Sequence, residues 1–153
     1  MEEKNMVHLL DLAEYILTRL GPMAASRLQK LLYYCQAWSL VWRGVPLFAD
    51  KIEAWGNGPI IPALYQLYKG HLKVYANFFY EKEPTKLPLE IDGESKELIE
   101  TVLEFYGTKD SHWLEQLVHM EEPWRTVRPK PHQHGQKMQE ITPASLSAYY
   151  CSL

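Results

Sequence analysis

The sequence has little cysteine, no excess of positive charge and no long apolar run, and each absence excludes a class of protein. Its 153 residues include only 2 cysteines, Cys35 and Cys151, which are too far apart in sequence to form a zinc knuckle. The formal net charge of −3 lacks the basic balance with which nucleic-acid binders neutralise phosphates. No apolar run approaches the ~20 residues that span a bilayer, and the acidic N-terminus is unlike a signal peptide. We therefore expect a cytoplasmic protein with two free thiols.

The sequence also lacks the motifs of common catalytic and cofactor sites. It contains no glycine-rich phosphate loop, no dinucleotide fingerprint and no nucleophile elbow. His132 and His134 stand close together, but zinc needs three or four converging ligands and no recognisable motif supplies the others. Cys35 lies in an apolar segment, where a thiol is far more often packing than a nucleophile. The sequence predicts no metal, no cofactor and no enzyme.

What the chain does contain is typical of one globular domain that folds alone. Hydrophobic residues make up 46% and charged residues 23%, which is far from the composition of disordered proteins. A chain of this length buries roughly 70% of its unfolded surface, so we predict a single compact domain over residues 1–153. The 5 tryptophans and 10 tyrosines fit either a well-filled core or a binding surface.

Helical periodicity and capping residues predict a mainly α fold with five to six helices. Asp92 and Thr142 are the expected N-caps of two of them, and Pro143 fits a first helical turn. The second helix is apolar nearly all round, so we expect it at the centre of the molecule. The predicted helices are 7–20, 24–42, one from Pro62 to before Gly70, 94–106, one from Ser111 to before Pro123, and one from Thr142 to the C-terminal region.

Three stretches do not follow this helical pattern. Near residues 47–55, alternation of period two around Ala49 and Asp50 indicates a short β-hairpin or two irregular strands. Residues 74–80 fit a helix or a strand equally well. Residues 125–141 have no periodicity, and a loop of that length is either functional or mobile.

Basic side chains cluster at two places. Arg27 and Lys30 are three residues apart on the second helix and share a face, as its solvent contact or as a polar contact for a partner. The second cluster is a basic patch for phosphate or an acidic partner, or a solvated loop. It consists of Arg125, Arg128, Lys130 and Lys137.

Several segments, in the right order and over nearly the whole chain, resemble the Panacea domain of SocA-like antitoxins. They are AEYIL at 13–17, LQKLLYY at 28–34, PLF at 46–48, EAW at 53–55, GPIIP at 58–62, LEQLVH at 114–119, EPW at 122–124 and the terminal stretch 141–150. The resemblance implies a mainly helical antitoxin, found in bacteria or their phages, that neutralises by direct binding a toxin usually encoded next to it. One such antitoxin delivers its toxin to a protease, so a protease or chaperone is a further implied partner.

The resemblance leaves other functions open. Some relatives carry a DNA-binding helix-turn-helix domain before the Panacea domain, but here the domain starts within the first ten residues, so we expect no direct DNA binding. An alternative from another class is a phage or mobile-element protein with an unrecognised hydrolytic or nucleic-acid-modifying activity. A third is a structural or adaptor module without a toxin.

The shared motifs also supply candidate partner-binding residues. Several have an apolar body with a polar tip, which suits both satisfied core positions and interface anchors. Two tryptophans lie beside proline-bearing turns that should cap the central helix, so we expect them close together. The candidates are Lys30, Tyr33, Tyr34, Trp124 and its expected neighbour Trp55, and His119.

Overall fold

The chain is mainly helical, as predicted, but it has more helices than the sequence indicates. A computed structural model describes residues 6–131, 135 and 137–153, and these form eight helices and five short strands. The helices are α1 (Leu9–Leu20), α2 (Ala25–Arg43), α3 (Pro62–Tyr68), α4 (Phe78–Lys82), α5 (Gly93–Tyr106), α6 (Ser111–Met120), α7 (Glu122–Arg125) and α8 (Pro143–Tyr150). The expectation of five to six helices misses α4 and α7, because elements of five and four residues are too short to show a helical period.

Helix α2 is the centre of the molecule, as its apolar composition predicts. Most of its side chains are buried, and α1, α5, α6 and α8 pack around it. The buried apolar residues of all these helices belong to one continuous core. Both cysteines are free thiols, with Cys35 buried in α2 and Cys151 exposed. Within the described part of the chain, no helix has the length and apolarity needed to cross a membrane.

The predicted helix ends follow the capping chemistry of the sequence. Asp92 and Thr142 accept hydrogen bonds from the backbone amides of Ser95 and Ser145, so both predicted N-caps are confirmed. Asp110 does the same for α6. At the C-terminal end of α2, Gly44 adopts a left-handed conformation, which glycine reaches without steric cost.

The β-hairpin lies further along the chain than predicted. Strands β2 (Ile52–Trp55) and β3 (Gly58–Ile60) pair antiparallel around a turn at 56–57, not around 49–50. Residues 47–48 look like a strand because they are apolar, but their backbone is held by the Gln36 amide instead of a partner strand. Gln36 accepts from the amides of Leu47 and Phe48 and donates to the carbonyl of Phe48.

Two small sheets complete the fold. Strand β5 (Gln139–Ile141) pairs antiparallel with β2, on the side opposite β3, which gives the order β3-β2-β5. The ambiguous stretch 74–80 contains both elements: strand β4 (Lys73–Val74), which pairs with β1 (Met23–Ala24), and the start of α4. The buried Glu14 carboxylate accepts from the amides of Asn77 and Phe79, and so holds the beginning of α4 against α1.

Candidate functional site

The six candidate residues lie on four elements around the N-terminal half of α2. Helix α2 carries Lys30, Tyr33 and Tyr34, while Trp55 ends β2. The remaining two, His119 and Trp124, lie near the end of α6 and within α7. The structure divides the six into a surface group at the hairpin and a buried group in the core.

The hairpin group joins β2 and β3 to helices α6 and α7. The Trp124 indole donates from Nε1 to the backbone carbonyl of Trp55 at 2.8 Å, so the two tryptophans are neighbours as expected. The His119 ring stacks on Trp124 with 4.2 Å between ring centroids and an interplanar angle of 9°. Its Nε2 lies 3.3 Å from the carbonyl oxygen of Asn57 in the hairpin turn.

Exposure separates the candidates into two kinds. Trp55 and His119 are partly exposed. Trp124 is only 3% exposed, and its polar atom is used inside the protein. Tyr33 and Tyr34 are fully buried, at 1% and 0%. The sequence therefore groups together residues that the fold places at different depths.

The Trp55 side chain is fixed by its neighbours while part of it faces solvent. Its indole Nε1 donates to Glu53 Oε1 at 3.0 Å. Its ring packs edge to face against that of Tyr65, with 4.9 Å between the ring centroids. Gly56 and Asn57, which follow it in the turn, are exposed. We call Trp55, Gly56, Asn57 and His119 the hairpin-tip face.

The buried group centres on Glu121, which the sequence analysis does not identify. Glu121 is 6% exposed, and its Oε1 accepts from the hydroxyls of Tyr34 and Tyr150 at 2.6 and 2.7 Å. The Tyr150 hydroxyl also lies 3.0 Å from that of Tyr33. No local signal marks Glu121 in the sequence, because its neighbour Glu122 is exposed and has the same side chain. We call Tyr33, Tyr34, Glu121 and Tyr150 the tyrosine–glutamate cluster.

Burial shifts the ionisation of this cluster toward the neutral forms. It raises the pKa of Glu121 above its ordinary value, although the two tyrosine hydrogen bonds oppose the shift. It also raises the pKa of Tyr33, Tyr34 and Tyr150, and the pKa of neighbouring Tyr106 to about 12. The tyrosines therefore stay protonated, and Tyr34 and Tyr150 donate to the carboxyl group of Glu121. The cluster is enclosed by the core, so it serves packing and hydrogen bonding.

Lys30 and Arg27 do not form a shared polar surface. The Lys30 side chain is 3% exposed, and its ammonium lies 3.4 Å from the carbonyl oxygen of Ser26. Desolvation lowers the pKa of Lys30, with Glu115 acting in the opposite direction. Arg27 donates to the carbonyls of Gly107 and Lys109, and so ties α2 to the turn between α5 and α6. Lys30 is therefore not a solvent contact of α2, whereas Arg27 is partly exposed, and a polar contact of this pair with a partner stays a prediction.

The remaining site predictions concern metal and the basic segment. His132 and His134 fall outside the described residues, and the described ones include no group of three or more His, Cys, Asp or Glu placed to hold a metal ion. In the basic segment, Arg125 and Arg128 are exposed. The Arg128 guanidinium lies over the Trp124 ring, 5.7 Å from its centroid.

Comparison with known proteins places the chain in a family. No curated protein and no solved structure gives a significant match. The family model described as antitoxin SocA-like, Panacea domain, matches residues 28–125, from α2 through α7. The matched segment covers about two thirds of the chain and includes the hairpin, α6 and all six candidate residues. The chain therefore belongs to the Panacea-domain family of SocA-like antitoxins.

Proposed function

We propose that this protein is the antitoxin of a toxin–antitoxin pair in the bacterial cytoplasm, and that it neutralises its toxin by direct binding. Membership of the SocA-like antitoxin family carries the proposal. Glu121 and Tyr34 are enclosed in the core, so the tyrosine–glutamate cluster offers no site to a substrate. The partner is a toxin encoded next to this chain.

We assign the toxin contact to the hairpin-tip face. Its aromatic and imidazole rings are partly exposed yet held by defined contacts, so they lose little conformational freedom on binding. Tryptophan is enriched among the residues that dominate binding energies. Trp124 supports this face from inside the fold, through its hydrogen bond to the Trp55 carbonyl and its stacking on His119, whereas Lys30, Tyr33 and Tyr34 are buried in α2.

Co-expression with the neighbouring reading frame tests the antitoxin proposal. We expect that expressing the neighbouring frame alone arrests growth, and that adding this chain restores growth. The two purified proteins should then form a complex in size-exclusion chromatography. A toxic neighbour that this chain neither binds nor neutralises would refute the proposal.

The toxin lifetime distinguishes simple binding from delivery to a protease. An adaptor shortens the half-life of the toxin when the antitoxin is present, and deletion of the protease or of an assisting chaperone abolishes rescue. A purely blocking antitoxin restores growth while the toxin persists. Pulse-chase measurement of the toxin in both strains separates the two routes.

We further propose that neutralisation is independent of DNA, in keeping with the net charge of −3. In a mobility-shift experiment at physiological salt, this chain should bind the promoter region of its own operon no better than unrelated DNA. Retention of that promoter at nanomolar concentration would contradict this part of the proposal.

A further inference from the structure

A second surface, on the opposite half of α2, has the properties of a docking groove. Helices α2 and α5 enclose a shallow depression whose floor is aromatic and apolar. We call it the α2–α5 groove, and it is lined by Trp38, Trp42, Thr101, Val102, Glu104, Phe105 and Tyr106. It shares Trp42 and Thr101 with an adjoining depression lined by Arg43, Glu94, Glu97 and Leu98.

The aromatic floor of the α2–α5 groove is exposed and rigid. Trp42 and Phe105 are 51% and 52% exposed, which is unusual for large apolar side chains placed side by side. Trp42 stacks on Trp38 at 5.1 Å, and the Trp38 indole donates to the Tyr106 hydroxyl at 2.9 Å. Rigid exposed aromatic rings are typical of the residues that anchor a protein partner.

The rim of the groove carries unpaired negative charge. Glu104 lines the groove itself, while Glu94 and Glu97 line the adjoining depression, and all three are exposed on α5. Within the described residues none of these three forms an ion pair, whereas Glu100, which is three residues from Glu97 and four from Glu104, pairs with Arg19 at 2.6 Å. A partner with cations beside its apolar side chains would complement this rim.

Two basic residues lie near the groove and are already engaged. Arg43 donates to the hydroxyls of Ser39 and Ser95, and the shortest nitrogen-to-oxygen distances are 3.0 and 3.3 Å. The Lys109 ammonium lies over the rings of Phe105 and Trp113 at 5.0 and 4.9 Å. Neither forms an ion pair with Glu94, Glu97 or Glu104, and these three carboxylates outnumber the two cations at this surface.

From this combination we infer that the α2–α5 groove binds a basic amphipathic segment of the toxin, as a contact surface separate from the hairpin-tip face. The inference rests on the proposed function for the identity of the partner. Apolar side chains of the segment cover Trp42 and Phe105, and its lysines or arginines face Glu97 and Glu104. A second copy of this chain fits less well, because a symmetric dimer would bring the two acidic rims together.

The charge and the aromatic floor can be tested without the toxin. The probe is an 18-residue helical peptide with leucine on one face and lysine on the other, compared with the same peptide carrying glutamate for lysine. We expect calorimetric titration to show binding of the lysine peptide alone. Trp42→Ala, and separately the double variant Glu97→Lys with Glu104→Lys, should each weaken it at least about tenfold.

Matched controls keep the result specific. Leu72→Ala removes another exposed apolar side chain, and Glu81→Lys with Glu83→Lys makes the same charge change on α4 and just after it. Both should bind the lysine peptide like the parent. Equal loss in the controls, or equal binding of the two peptides, would overturn the inference. If Trp42→Ala lowers the melting temperature, the charge-reversed variant decides.

The toxin itself separates failure of this inference from failure of the proposed function. The double variant Glu97→Lys with Glu104→Lys should melt at the same temperature as the parent. It should nevertheless fail to restore growth in the presence of the toxin. If that variant rescues fully while changes at the hairpin-tip face abolish rescue, the groove inference fails and the antitoxin proposal stands. If the neighbouring frame is not toxic, the proposed function fails, while the peptide titration still decides whether the groove binds basic helices. Dimerisation that Trp42→Ala removes would assign the groove to a second copy instead.

Discussion

At the scale of single residues, Glu121 is the buried acceptor that links Tyr34 of α2 to Tyr150 of α8. Alanine at this position leaves the hydroxyls of Tyr34 and Tyr150 without their acceptor, and each such buried group costs ~1–3 kcal/mol. We expect Glu121→Ala to lower the free energy of unfolding by about 2–5 kcal/mol. Glu121→Gln keeps an acceptor oxygen and should lower it far less. Urea denaturation measures both, and an equal loss would show that the tyrosine hydroxyls do not depend on residue 121.

The pKa of Glu121 gives the same residue a pH signature. Because burial raises this pKa above the ordinary 4.5, the folded protein binds the proton more tightly than the unfolded chain does. The resulting stability is fully present below the unfolded pKa and is lost as pH rises through the folded pKa. We therefore expect the parent to gain stability relative to Glu121→Gln as pH falls from neutrality toward about 4.5. A difference that does not change with pH would contradict the raised pKa.

Gly58 is a position where the hairpin requires glycine. Its φ of +142° is rarely adopted by other residues, and an added Cβ would lie 3.4 Å from Lys30 Cε. We expect Gly58→Ala to lower the free energy of unfolding by about 1–3 kcal/mol. Gly56→Ala is the matched control, because its φ is not positive and nothing lies within 4 Å of the added Cβ. Thermal melts of the two variants should differ, and equal melting temperatures would refute the role of Gly58.

At the scale of elements, Trp124 fastens the hairpin to α7. The Trp124 ring is only 3% exposed. Replacing a buried tryptophan by alanine typically lowers the free energy of unfolding by ~3–5 kcal/mol. Trp55→Ala should cost less, because the carbonyl that accepts from Trp124 belongs to the backbone and remains. We expect Trp124→Ala to melt far below the parent, and Trp55→Ala to stay close to it while losing toxin rescue. If both melt far below, the hairpin-tip face is not a binding surface.

Long-range contacts of side-chain amides explain which elements could not be predicted from the sequence. The long helices and their caps follow from periodicity and from Asp92 and Thr142, which act locally. The stretch at 47–48 is held by Gln36, and Gln29 likewise binds both the amide and the carbonyl of Ile61. Each of these contacts joins residues more than ten positions apart in the sequence. A local alternation of apolar and polar residues carries no information about such contacts. The hairpin was therefore expected in the wrong place.

At the scale of the whole molecule, the pattern of apolar residues predicts which helix is central, but residue type does not predict the depth of a polar side chain. The sequence correctly makes α2 the central helix, and its motifs identify the antitoxin family. It cannot tell the buried Glu121 from the exposed Glu122, because their depths depend on how α7 meets α8. For the same reason, the six candidate residues share motifs but not a surface.

The C-terminal elements decide how large the folding unit is. The family match ends at residue 125, yet Ile141, Leu146 and Tyr150 are at most 2% exposed, and β5 pairs with β2. Burying each large apolar side chain contributes ~1.5–3 kcal/mol, so together these three are comparable with much of the 5–15 kcal/mol that stabilises a typical domain. We propose that the chain folds as one domain that needs β5 and α8.

Truncation tests this proposal. A chain ending after residue 138 lacks β5 and α8, removes Tyr150 from Glu121, and should show no cooperative urea transition by circular dichroism. A chain ending after residue 150 is the control, because Cys151, Ser152 and Leu153 are exposed, and it should unfold in one transition close to that of the parent. Since α8 supplies both a hydroxyl to Glu121 and a ring against Trp38, its loss opens the core along α2. Parental cooperativity in the shorter chain would instead make β5 and α8 appendages of a smaller domain.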